Sequence, residues 1–186
     1  ILKELDLYNK ENEYVCSLNG ALLTENKENE IIRSSYLSYE DACKIIPFAL
    51  NHDLCIELYT LDNTYIYNLN DDERKRVHHV GLNFIEMKDG SHGFLENQKI
   101  LKIALQSCDF NYLQAIGPKL QNLLDSVILS YSSNRYIECF SKDTSKGIAL
   151  EWLANHLNID ISETIAIGDH FNDVAMLEAA GFSVAA

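Results

Sequence analysis

One apolar run constrains this chain more than any other feature. Thr164 to Ile167 is continuous and apolar, ends in Gly168-Asp169, passes through His170-Phe171-Asn172-Asp173, and is followed by Val174 to Ala180 at helical spacing. A buried strand that delivers carboxylates to the mouth of a helix is the building unit of a parallel sheet with crossover helices. The elements on either side extend the pattern. Ser145-Lys146-Gly147 opens a helix carrying Ala149, Leu150, Leu153 and Leu157, while Gly181 stops the later helix before a short strand over Phe182 to Ala185.

The residues before Ser141 read differently. Tyr14 to Ser17 predicts a strand ending in the turn residues Asn19-Gly20-Ala21, and Asn26 to Glu30 predicts a polar hairpin tip leading into Ile31 to Tyr36. A helix is expected from Ser38, its N-cap, through Ala49, with Asp41 at N3. Cys55 to Tyr59 and Thr64 to Tyr67 predict a hairpin, and Asp71 to Val80 a charged helix. Ile100 to Ala104 predicts a strand, Asn111 to Leu124 a helix, and Ser126 to Ser130 with Tyr136 to Phe140 a strand pair. The expected fold is therefore α/β: an incomplete Rossmann-like parallel-sheet core, residues 1–22 and 142–186, with an α+β domain over 23–141 inserted into it. Ile1 to Leu7 resembles the end of a helix, and the chain opens without methionine, so an amino-terminal truncation is expected.

Charge and cysteine pattern narrow the function. A net charge of -13, from 28 acids against 15 Lys and Arg, disfavours a nucleic-acid partner, and any phosphorylated ligand would need local positive charge or a metal. The five cysteines are scattered without C-x-x-C spacing, which points to a reducing, cytoplasmic setting rather than a disulfide framework or zinc site. No apolar run approaches the roughly 20 residues that cross a bilayer, so no membrane association is expected. The sequence leaves the oligomeric state open.

Asp169 stands where open parallel sheets bind ligands, outside the carboxyl end of a strand, and offers hard oxygen to magnesium. Asn172 and Asp173 lie one turn on, near a helix N-terminus that favours anions. The plainer alternative is that these residues only cap the helix. Lys146, in the first turn of its helix, opposes the macrodipole preference. Taken alone it reads as a solvated surface lysine, and it gains interest only in company with Asp169. His78-His79 point to different faces of a helix and suggest no shared metal. Tyr59, Tyr65 and Tyr67 suit strand pairing better than a ligand pocket.

Thr144-Ser145-Lys146-Gly147-Ile148-Ala149-Leu150 and Ile165 to Leu177 resemble the third and fourth motifs of the haloacid dehalogenase superfamily, in particular its Cof-type phosphatases with a large inserted cap domain. Asn19-Gly20-Ala21 is similar to the turn this subfamily carries before its cap. The resemblance implies a magnesium-dependent phosphatase acting on a small phosphorylated metabolite such as a sugar phosphate. It implies Asp169 as a magnesium ligand, Asp173 as a carboxylate steadying the metal site, and Lys146 as the cation that neutralises the phosphoryl group and the attacking carboxylate. Asn172 would contact the phosphate or its water, and Asn19 would orient the ligand. The family's Asp-x-Asp-Gly-Thr nucleophile motif and its Thr-Gly-Arg-like second motif are absent here and are expected upstream of Ile1. The family pattern also continues beyond Ala186. The chain alone is therefore expected to be inactive. Two alternatives stay open: a nucleophile-less binding module on the same scaffold, and a phosphomutase differing only in cap chemistry.

Overall fold

The computed structural model describes residues 9–186, and the helix end expected over Ile1 to Leu7 lies outside the described residues. The described residues up to Ser35 form one compact unit with Asp143–Ala186, and Tyr36–Lys142 form a second.

The first unit begins with an antiparallel sheet of β1 (Tyr14–Ser17), β2 (Leu22–Glu25) and β3 (Ile31–Ser34), in that order. A single 3-10 turn, Leu18–Gly20, joins β1 to β2. Cys16 pairs with Leu23, and Leu23 with Arg33, so these three side chains stand in one row across the sheet. The expected crossing between domains at residues 22–23 is corrected by this pairing. β2 is bonded on both edges, to β1 and to β3, and β3 therefore keeps residues 23–35 in the first unit until Ser35.

In the second unit the elements are α1 (Tyr39–Asn51), β4 (Cys55–Thr60), β5 (Thr64–Tyr67), α2 (Asp71–His79), β6 (Ile85–Met87), β7 (Ile100–Gln106), α3 (Phe110–Gln121), β8 (Val127–Ser132) and β9 (Tyr136–Ser141). Each helix starts on a side-chain cap: Ser38, Asn70 and Asp109 accept from the N–H groups of Asp41, Glu73 and Tyr112. The six strands run in the order β6-β5-β4-β7-β9-β8, all antiparallel pairs except β5–β6. Ile45, Ile46, Ile56, Leu58, Ile103, Leu105, Leu113 and Leu120 fill the core between this sheet and α1 and α3. Beside α2, Arg76 pairs with both Glu57 and Glu73, and Arg135 pairs with Glu73 at 3.0 Å, so two buried carboxylates are held by two guanidinium groups.

The chain returns to the first unit through α4 (Lys146–His156), β10 (Ile165–Gly168), α5 (Val174–Ala179) and β11 (Phe182–Ala185). β10 and β11 pair in parallel through Ile165–Phe182 to Gly168–Ala185, with α5 as the crossover. The fold is α/β, a parallel-strand core unit interrupted by an α+β unit. No described helix is long and apolar enough to cross a membrane.

Candidate active site

All five residues singled out from the sequence lie in the first unit, on three segments that the backbone brings together. The first is the turn after β1. Leu18 and Asn19 both adopt positive φ (50° and 57°), and Gly20 reaches φ +101°. A Cβ on Gly20 would lie 2.3 Å from the Ser145 carbonyl oxygen, so only glycine lets the turn press against the start of α4. Beside it, the Asn19 Oδ1 is buried with no hydrogen-bond partner. Orphaned buried amide oxygens are uncommon, and such a group marks a place where a ligand or ordered water completes the bonding.

The second segment is the N-terminus of α4. Ser145 caps it, its hydroxyl accepting from the Ile148 N–H at 3.0 Å, which sets the direction in which Lys146 leaves the helix. Gly147 allows α4 to meet α5 closely, because a Cβ there would lie 2.3 Å from the Ala175 carbonyl oxygen.

The third segment is the loop after β10. Asp173, 5% exposed, uses all of its carboxylate: Oδ1 accepts from Lys146 Nζ at 2.5 Å, and Oδ2 accepts the backbone N–H groups of Asp169 (3.2 Å) and His170 (3.1 Å). The Lys146 ammonium holds the Asp173 carboxyl below the usual carboxylate range, aided by those two N–H groups against the effect of burial. Asp173 therefore joins the lysine to the loop.

Asp169 is arranged for a different task. Its carboxylate is 66% exposed, with one oxygen 2.9 Å from Nδ1 of His170, which raises the imidazole's pKa. The other oxygen accepts no hydrogen bond among the described residues. Asn172, three residues on, is exposed, and its side chain makes no hydrogen bond among the described residues. No group of three or more His, Cys, Asp and Glu side chains converges on a metal position among the described residues. Magnesium needs less than that: it is commonly held by one or two carboxylates with waters and phosphate oxygens. Asp169 fits one such ligand. Asp173, with both oxygens committed, fits a supporting place and not direct ligation.

Lys146, Asp173, Asp169 and Asn172 are thus gathered by α4 and the β10–α5 loop, and Asn19 lies against the start of α4 through Gly20. Two features of this arrangement carry no sequence signal. Nothing in the residue pattern singles out His170, whose ring covers one Asp169 oxygen. The side chain of Arg33 donates to two carbonyls, of Gly20 (3.2 Å) and Asp143 (3.0 Å), and bonds to main-chain oxygen leave no residue-type pattern to find.

A family model described as haloacid dehalogenase-like hydrolase matches residues 1–186. A Streptococcus pyogenes protein provisionally named a phosphatase is 30% identical over 179 residues, covering 96% of this chain and 65% of that relative. The solved structure of a haloacid dehalogenase-like hydrolase from B. subtilis superposes with a TM-score of 0.82 at 25% identity, covering 100% of this chain and 71% of that one. A solved sugar phosphatase, BT4131, shares the fold with a TM-score of 0.78 at 17% identity, covering 99% of this chain and 66% of its own. The chain thus spans about two thirds of the length of the relatives it matches.

Proposed function

The chain belongs to the haloacid dehalogenase-like hydrolases, and on that premise we propose that the whole protein hydrolyses a small phosphorylated metabolite, a sugar phosphate, with magnesium. The observation that carries this reading is the Lys146–Asp173 pair at 2.5 Å, tied through Asp173 Oδ2 to the N–H of Asp169. It ties a cation on α4 to the β10–α5 loop that carries an exposed carboxylate, the pairing that phosphoryl transfer asks for.

In this reading an aspartate upstream of Ile1 attacks phosphorus, the bond to the sugar oxygen breaks with a proton delivered to the leaving oxygen, and water then releases phosphate from the aspartyl ester. Magnesium would be held by Asp169 and would supply positive charge to the phosphoryl oxygens. The chain's own residues do the rest. Lys146 neutralises negative charge as it spreads over the phosphoryl group. Asp173 keeps the ammonium aimed and the loop N–H groups in place. Asn172, exposed at the loop, contacts phosphate or its water, and the Asn19 amide orients the ligand. The named activity of BT4131 supports a sugar phosphate as the substrate class, and the cysteine pattern supports a cytoplasmic setting.

The test is steady-state hydrolysis of a sugar-phosphate panel by the full-length protein with magnesium. Lys146→Ala should lower kcat by roughly 100- to 1,000-fold, the usual cost of removing one preorganised electrostatic group. Asp169→Ala should abolish the magnesium dependence along with turnover. Wild-type kinetics in either variant would remove the assignment.

A further inference from the structure

Arg33 lies outside every motif of the sequence, yet it joins the two segments that bracket the candidate site. Its Nη1 donates to the Gly20 carbonyl at 3.2 Å and its Nη2 to the Asp143 carbonyl at 3.0 Å. Gly20 follows Asn19 directly, and Asp143 leads through Thr144 and Ser145 into Lys146. The same two segments meet again where the Ser145 carbonyl lies against Gly20, and the second of them is held to the end of β3 by the Thr144 hydroxyl donating to the Ser35 hydroxyl at 2.9 Å, with both side chains buried. The Ser35 N–H closes the set by donating to the Ala21 carbonyl at 2.8 Å. Arg33 also shares its row of the sheet with Cys16.

We propose that Arg33 is a positioning residue: its guanidinium clamps the Asn19–Gly20 turn to the segment entering α4 and so sets Lys146 in register with Asn19. A planar fork can hold two carbonyls at once in fixed geometry, whereas an ammonium on a flexible stem does not reproduce that spacing. The charge of the side chain is secondary; its two-handed reach is what matters. The consequence for turnover rests on the phosphatase reading above, but the clamp itself does not.

The test uses Arg33→Lys and Arg33→Ala in the full-length protein, with two readouts. In sugar-phosphate hydrolysis both variants should lose about 10- to 100-fold in kcat with KM within about twofold, the pattern of a displaced catalytic group. An Arg33→Lys enzyme with wild-type kcat would overturn the clamp, since charge alone would then suffice, and so would a loss expressed only in KM. Amide hydrogen exchange supplies the second readout and needs no activity. The N–H groups of Ala21, Ser35 and Ile148 should exchange at least about tenfold faster in both variants while those of Phe182 and Ala186, which donate to the Thr164 and Gly168 carbonyls at the two ends of the β10–β11 pair, keep wild-type rates. Wild-type exchange at the first three would overturn the inference whatever the kinetics. A wild-type protein without turnover on any phosphate ester, but with accelerated exchange in the variants, would retire the phosphatase reading and uphold the clamp.

Discussion

Replacing Gly147 by alanine sets two effects of known sign against each other. In the interior of a helix, Gly→Ala stabilises by roughly 0.5–1 kcal/mol through backbone entropy. Here the added Cβ would stand 2.3 Å from the Ala175 oxygen and 2.7 Å from its carbon, where ordinary contact begins at 3.4 Å. The obstacle is backbone, so no side chain can swing aside, and α4 must move from α5 by about 1 Å. Overpacking of that kind costs about 1–3 kcal/mol, so set against the helix gain it leaves a net loss of about 0–2.5 kcal/mol, centred on about 1 kcal/mol. Trp152, the single tryptophan, sits on α4, so urea unfolding followed by its fluorescence reports on this unit. The same shift would stretch the 2.5 Å contact between Lys146 and Asp173 to about 3.5 Å, the outer limit of a hydrogen bond, and turnover should fall with stability. Gly93→Ala is the control, since nothing lies within 4 Å of its Cβ position and the added methyl should bring no loss of stability. A Gly147→Ala protein with a midpoint at or above wild type would refute the reasoning, because the helix gain would then have acted unopposed.

Three further outcomes are expected. Arg76→Met leaves Glu57 and Glu73 buried with one cation fewer and should destabilise the second unit by about 3 kcal/mol in urea titration followed by far-ultraviolet circular dichroism; a change under about 0.5 kcal/mol would show that the pair contributes little. The Tyr67 phenol is pushed up to about 12 by burial, so the unfolded chain loses this proton before the native one does. Stability from this group is intact below about pH 10 and declines as pH rises towards about 12. Tyr67→Phe should remove that part of the alkaline decline while costing about 1 kcal/mol at neutral pH for the lost bond to the Ser91 carbonyl; an unchanged alkaline slope would contradict the burial argument. Iodoacetamide should modify exposed Cys108 in the native protein and reach Cys55 and Cys139 only on unfolding, since both are buried and burial raises both thiols, that of Cys55 to about 12. Native-state labelling of Cys55, read by peptide mass spectrometry, would argue against the packing of β4.

Much of this architecture was legible because local chemistry and long-range structure agree. Ser38 before an apolar periodicity predicts the start of α1, and its hydroxyl accepts from the Asp41 N–H as a cap should. The apolar run ending at Gly168 predicts a parallel strand, and β10 pairs in parallel with β11. β6 was not legible: Ile85, Glu86 and Met87 are exposed or half-exposed, so no alternation marks them, and their pairing with β5 comes from tertiary placement. The polar tip at Asn26–Glu30 reads as a hairpin tip leading into Ile31 to Tyr36, and β3 does pair with β2, but nothing in the residue pattern marks that the first unit runs on to Ser35. At the site, residue types signalled the chemistry of Lys146 and Asp169, whereas the full engagement of the Asp173 carboxylate and the orphaned Asn19 oxygen depend on distances that no spacing encodes.

The closeness of Gly20 to Ser145 has a consequence for how the molecule is made. The whole of the second unit must leave the ribosome before the turn after β1 can meet its partner. Closing so long a loop is entropically costly if the intervening chain is a coil. It becomes cheap once Tyr36–Lys142 has folded, because the antiparallel pairing of β4, β7 and β9 then shortens the connection. The second unit should therefore act as a template that folds ahead of the site. Mutations in its core that slow folding would delay assembly of Lys146 and Asn19 without touching either, and would leave a nascent chain whose α/β face waits, exposed, for its first strands.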